Sequence, residues 1–184
     1  DRYFEKKEYD RVLQVLDESI ELDKAYRGQV LEYNQKKKEI YRLQGNKSAY
    51  IEQLWKLVLE QSAGDLDIYK ELKAQYSEKE WLIKREELFK KLPANAHIDR
   101  LYKEEKLYDR LLAYVLKSSG LYAVQSYENV LKKEYPKQIL SKYQDEVNKM
   151  ASCTGNRKHY ADLVALLRRM KQIKGGSEIE IGRA

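Results

Sequence analysis

The sequence predicts an all-α protein, an α-solenoid of degenerate helical hairpins of the tetratricopeptide or HEAT kind, about eight to ten helices long, with a plain helical bundle as the alternative architecture. Three observations predict it. Apolar residues recur at helical spacing almost everywhere, and no stretch alternates for long. Two prolines and eight glycines in 184 residues leave too few turns for many short strands. Charged residues make up 36% of the chain, well above the roughly 25% typical of globular domains, and mean hydropathy is −0.80, a composition that points to a soluble helical protein.

The elements follow in order. A first hairpin begins near Arg2, turns at Lys6-Lys7 and continues through Tyr9, Val12, Leu13 and Leu16, spaced i, i+3, i+4 and i+7. A second helix is expected from about Asp23 to Leu43, with Tyr26, Val30, Tyr33, Ile40 and Tyr41 inward. Lys36-Lys37-Lys38 interrupts its stripe and is expected to face water. Gly45-Asn46 closes that helix. Asn46 or Ser48 can cap the next, whose stripe is Tyr50, Leu54, Leu57 and Val58, with Trp55 beside it. Gly64-Asp65 resets the chain for a short helix with Leu66, Tyr69, Leu72 and Tyr76. Ser77-Glu78-Lys79-Glu80 has the form of a capping box and opens a helix carrying Trp81, Leu82, Leu88 and Phe89, which Pro93 stops.

The second half repeats the plan. A short helix starts at Asp99, and Glu105-Lys106 reads as a turn. Tyr108, Leu111, Leu112 and Val115 then reproduce the Tyr9 stripe, and Tyr108-Asp109-Arg110-Leu111-Leu112 echoes Tyr9-Asp10-Arg11-Val12-Leu13. Gly120 precedes a helix with Leu121, Val124, Tyr127, Val130 and Leu131. Pro136 fits the first turn of a helix carrying Ile139, Leu140, Tyr143, Val147 and Met150. Gly155-Asn156 breaks it, and a last helix runs from Arg157 to about Ile173. The tyrosine-led stripe recurs weakly at Tyr50 and again at Tyr160, at irregular spacings rather than the fixed ~34 residues of tetratricopeptide repeats. One helical-repeat domain over 1–176 is expected, with subunits of about 1–93 and 94–176 and a truncated or disordered tail at 177–184. Asp1 is no initiator, so the chain reads as a piece excised from a longer one. Sixteen of its aromatic residues are tyrosine, whose rings pack on a core while their hydroxyls still reach water.

Charge is unevenly spread. The first 129 residues are balanced, whereas Lys and Arg outnumber Asp and Glu by 11 to 4 between Val130 and Lys174. A basic end on a neutral body points to an anionic partner or to a lysine-rich solvated surface. One cysteine excludes a disulfide framework, and with two histidines it cannot close a tetrahedral zinc site in one chain. No apolar run approaches the 18 or so residues of a membrane span, and no signal peptide opens the chain. Cytoplasm is the compartment this composition implies.

Beyond Ser118 a pattern emerges. Tyr127-Glu128-Asn129-Val130-Leu131-Lys132-Lys133-Glu134-Tyr135-Pro136 is followed by Ile139-Leu140 and Tyr143. Then come Asn156-Arg157-Lys158-His159-Tyr160, Leu163-Val164, Leu167-Arg168-Arg169-Met170 and Lys174-Gly175-Gly176. Residues 118–176 resemble the C-terminal helical region of bacterial proteins that carry a SWIM zinc finger, a module proposed to bind DNA or proteins. The Cys-x-Cys and Cys-x-His pairs of that finger are absent here. The resemblance therefore implies no cofactor in this chain, with zinc elsewhere in the parent protein.

On a wheel at about 100° per residue, the last helix groups Tyr160, Leu163, Val164, Leu167 and Met170 in one arc. Arg157, Lys158, Arg168 and Arg169 fall opposite, with Asp162 the one acid among them. Four cations on one face are candidates to straddle a nucleic-acid backbone. His159 is read as packing beside Tyr160, and Cys153 as a bystander in a loop, because no paired group at either position supplies a base or nucleophile. No Gly-rich phosphate loop, nucleophile elbow or HExxH motif occurs. The expectation is a non-catalytic helical scaffold that binds a protein partner, not an enzyme, with no membrane and no small-molecule substrate. A nucleic-acid-binding module using the basic C-terminal helices, with DNA as partner, is the alternative.

Overall fold

A computed structural model of the chain describes residues 8–152 and 157–178. It is helical throughout that range, without strands among the described residues. Ten α-helices run as α1 (Tyr9–Leu22), α2 (Arg27–Leu43), α3 (Lys47–Lys56), α4 (Leu66–Lys73), α5 (Glu78–Lys91), α6 (Ile98–Glu104), α7 (Tyr108–Lys117), α8 (Tyr122–Leu131), α9 (Pro136–Ala151) and α10 (Arg157–Lys171). A π-helical turn, Leu57–Gln61, continues α3, and a 3₁₀ turn, Gly176–Glu178, follows α10. The proposed turn at Lys6-Lys7, Cys153, the Gly155-Asn156 break and residues 179–184 lie outside the described residues.

The chain divides into two compact units, Asp1–Leu101 and Tyr102–Ala184. In the first, α1 packs on α2, α2 on α3 and the π-turn, and α3 on α4. In the second, α7 packs on α8, α8 on α9, and α9 on α10. These helices thus seal mainly against their neighbours in sequence, the solenoid-like packing expected of one-sided stripes. Leu101 is fully buried in the first core, and Tyr102 packs against the second.

The local signals act as their chemistry requires. Asn46 Oδ1 accepts the Ala49 amide, Asp65 caps α4, and Ser77 and Glu80 close a reciprocal capping box on α5. Pro136 sits in the first turn of α9. In the first core Tyr69 meets Trp81 edge-on at 5.1 Å between centroids, above Leu54, Leu57, Leu72 and Leu88, all fully buried. The second core joins Leu111, Val115, Val124, Leu131, Ile139, Tyr143 and Met170.

Several expectations need correction. Helix α2 starts at Arg27 rather than Asp23, because Asp23 terminates α1 and its carboxylate accepts the Tyr33 hydroxyl at 2.8 Å. Tyr26 is 64% exposed, in the turn before α2 rather than on its inward face. The Lys36-Lys37-Lys38 run is only partly solvated. Lys36 is exposed, but Lys37 is buried with its ammonium 2.5 Å from Asp17, and Lys38 reaches Glu71 at 2.7 Å. Long aliphatic stems let both lysines cover apolar surface while their heads find carboxylates. On α5, Leu82 faces outward while Trp81 and Leu88 are buried. No helix of the described residues is long and apolar enough to cross a membrane.

The glycine pair after α10 has a steric reason. A Cβ on Gly176 would lie 1.8 Å from the Met170 carbonyl oxygen, and Gly175 adopts φ +88°. The chain can fold back beneath α10 only without a side chain there, so residues 177 and 178, expected in a loose tail, belong to the 3₁₀ turn. Gly176→Ala is expected to destabilise the protein by about 1–3 kcal/mol, the usual cost of forcing atoms into a packed site, read as a lower urea midpoint with the m-value unchanged.

Candidate interaction surface

Helix α10 carries all four cations singled out from the sequence, so its rotation about its own axis decides what they do. Leu166 and Met170 are buried, Leu163 and Leu167 are partly buried, and Ile173 beyond the helix end is buried with them. Tyr160 and Val164, expected to face inward, are 61% and 45% exposed. The buried arc is turned by about 60° from the one read off the wheel, at about 100° per residue.

That rotation separates the four cations. Arg169 lies at the edge of the packed face, where its guanidinium Nε donates to Glu128 Oε2 at 2.5 Å and its terminal nitrogen to the Gln125 carbonyl at 3.3 Å. Arg157, Lys158 and Arg168 are exposed. None of the three has a hydrogen bond or ion pair among the described residues.

Glu128 explains the commitment of Arg169. It is 4% exposed on α8 and accepts hydrogen bonds from Arg169, from the Tyr143 hydroxyl at 2.7 Å and from Lys132 at 3.3 Å. A carboxylate so placed is tolerable only when paired, because stripping away one partner leaves charge without solvent. Burial pushes the Glu128 carboxyl upward, but the hydrogen bonds from Arg169 and Tyr143 and the Arg169 charge outweigh it, and its pKa is lowered. Burial and the bond to Glu128 raise the Tyr143 phenol. Glu128 follows Leu121 and Val124 by seven and four residues, an inward position, which is the sequence signal that marks it.

The outer face of α10 is a single row. Arg157, Tyr160, Val164, Arg168 and Lys171 are spaced by three, four, four and three residues, fall within about 80° of the helix circumference, and are all exposed. The row is about 21 Å long at 1.5 Å per residue. Asp162, the acid nearest in sequence, projects from the other side of the helix, towards the edge that carries Lys158. The surface is an apolar pair bracketed by cations, not a basic patch.

His159 is half-buried behind this row, its Nε2 2.8 Å from the Met150 carbonyl oxygen and its ring edge-on to Tyr160 at 6.0 Å. It braces the start of α10 against the end of α9. Among the described residues, no group of three or more His, Cys, Asp or Glu side chains converges in a way that fits a metal ion. No protein-family model, no curated protein and no solved structure matches the chain.

Two measurements test the Glu128 centre. Arg169→Met is expected to lower stability by about 2 kcal/mol, the scale of a hydrogen bond to a charged group, with retained helical circular dichroism. The pH sign follows from the lowered folded-state pKa. The stabilisation is complete above the unfolded carboxyl value of about 4.3 and disappears as pH falls through the lower folded value. Urea titrations at pH 6 and pH 3 are expected to show a smaller stability loss for Glu128→Gln than for the parent protein.

Proposed function

We propose that the chain is a non-catalytic helical scaffold that binds a protein partner, and that the outer row of α10 is its docking surface. The observation that carries this reading is the exposed Tyr160–Val164 pair, one turn apart and flanked by Arg157, Arg168 and Lys171. Residues four apart on a helix are surface neighbours, so ring and isopropyl group form one apolar knob. An aromatic anchor with arginines beside it is the composition of interface centres. Three cations on this face, with no acid in the row, select an acidic amphipathic helix that lays its apolar stripe on the knob and its carboxylates on the flanks.

In this reading the chain belongs to a larger SWIM zinc-finger-like protein, holds a partner beside the finger, and needs no cofactor of its own. Cytoplasmic residence fits a chain with one cysteine. Nucleic-acid binding through Arg157, Lys158 and Arg168 draws on the same face, but it loses Arg169 to Glu128 and leaves the apolar knob without a purpose.

A labelled acidic amphipathic peptide and a 20-base-pair DNA duplex distinguish the two. Peptide binding is expected to fall at least tenfold in Tyr160→Ala/Val164→Ala and to weaken only several-fold between low and moderate salt, as exposed flanking charges are screened while the apolar contact persists. Duplex binding with a log–log salt slope near −0.9 per phosphate, lost in Arg157→Ala/Arg168→Ala and indifferent to Tyr160→Ala, would establish the nucleic-acid reading instead.

A further inference from the structure

The first unit holds a second feature, independent of α10. The α-helical hydrogen bonding of α3 gives way at Leu57 to a π-turn, in which the Ser62 amide reaches back to the Leu57 carbonyl at 2.8 Å and that of Gly64 to Val58 at 3.0 Å. Such turns insert a residue, weaken the regular ladder and occur disproportionately at functional sites. No proline or glycine lies within Leu57–Gln61 to force one.

What the π-turn does is visible in its surroundings. It turns Leu59, Glu60 and Gln61 towards a cleft of 740 Å³ whose other walls are the α1–α2 turn and the loop after α5. That volume lies within the roughly 300–1,000 Å³ of small-molecule sites. The wall between two of these segments is fixed. Gly64 is buried at φ +75°, and a Cβ there would lie 3.0 Å from the His97 backbone nitrogen, so the two loops touch backbone to backbone. That backbone contact fixes one wall, while Lys24, Arg27, Glu60, Asn95 and His97 line the cleft as exposed side chains.

Its lining has one dominant chemistry. Lys24 and Arg27 enter from the α1–α2 turn, His97 and Asn95 from the loop after α5, and Ser62 from the end of the π-turn. Glu60 is the single carboxylate among the lining residues, and Val30 and Leu59 supply the apolar part. The side chains of Lys24, Arg27, Glu60 and His97 have no hydrogen bond or ion pair among the described residues. Further along α2 the cations find carboxylates: Lys36 on Glu32, Lys37 on Asp17, Lys38 on Glu71 and Arg42 on Glu39. Arg27, at the start of the same helix, has no such partner and faces the cleft together with Lys24.

We infer that this cleft binds a small hydroxylated oxyanion, a phosphate monoester or a sugar-acid carboxylate. Lys24 and the planar fork of Arg27 take the anionic group, and Asn95, Ser62 and the His97 ring supply further polar contacts. Glu60 repels a bare anion and accepts hydrogen bonds from hydroxyl groups at the ligand's other end, which selects against free phosphate.

The test is an amide-resolved NMR titration of the full chain with ribose 5-phosphate, gluconate and inorganic phosphate. Saturable shifts are expected at residues 24–30, 59–63 and 95–97, with one of the two hydroxylated ligands at least tenfold tighter than inorganic phosphate. Tighter ribose 5-phosphate assigns a phosphate monoester, and tighter gluconate a carboxylate. Lys24→Ala/Arg27→Ala should weaken binding at least tenfold with unchanged circular dichroism. Glu60→Gln should tighten inorganic phosphate several-fold and remove the preference for hydroxylated ligands. Arg157→Ala/Arg168→Ala should leave these affinities intact, which separates this site from the α10 surface. Shifts spread over lysines at large, or undiminished binding in the folded Lys24→Ala/Arg27→Ala protein, would overturn the inference.

Discussion

Tyrosine hydroxyls donating to carboxylates on a neighbouring helix hold the edges of both cores. A stack of single helical layers has no deep interior, so the rim of each packed stripe lies close to water, and the polar atoms there need partners to stay ordered. The Tyr50 hydroxyl on α3 reaches Glu71 on α4 at 2.6 Å, and Tyr143 on α9 reaches Glu128 on α8 at 2.7 Å. Tyr135 binds Asp109 at 2.5 Å, a bond that pushes its phenol up to about 12. Each ring contributes apolar area to its layer while its hydroxyl ties that layer to another segment. A leucine-only stripe would bury comparable area without fixing which helix lies beside which.

Glu128 shows how that constraint reaches the surface. Its carboxylate collects Tyr143, Lys132 and Arg169, and the Arg169 bond is made with α10 rotated so that Arg169 lies at the packed edge. Leu166 and Met170 then take the buried positions, and Tyr160 and Val164 are left outside. The character of the outer row, apolar at its centre and cationic at its flanks, thus follows from a rotation that both buries Leu166, Met170 and Ile173 and pairs Arg169 with Glu128. The same centre removes a cation from the basic face read off the sequence.

The first unit reaches a different outcome with the same materials. Its lysines on α2 are drawn into pairs with α1 and α4, which stabilises the stack and leaves little free charge along that helix. The α1–α2 turn is the exception. There the π-turn and the closely apposed loops around Gly64 and His97 leave room for a ligand where continued α-helix would have carried Glu60 and Gln61 to other directions. A scaffold and a small-ligand site are compatible in one chain, because helical stacking consumes one face of each helix and leaves the turns available.

Helix existence, order and most boundaries were legible in the sequence. Period and capping depend on residues a few positions apart, as at Asn46, Asp65, Ser77 and Pro136. The core residues of the Tyr50 and Tyr108 stripes were legible for the same reason. What only tertiary structure decided were choices between near-equivalent faces and between alternative partners far apart in sequence. Lys37 is buried because Asp17 lies opposite, and Arg169 is spent because Glu128 waits 41 residues earlier. The rotation of α10 was open in the same way, since Tyr160 and Leu166 fit a helical stripe equally well until a neighbour is placed. The π-turn left no local signal, because its hydrogen bonds are set by how the chain must meet His97 rather than by the propensities of Leu57–Gln61.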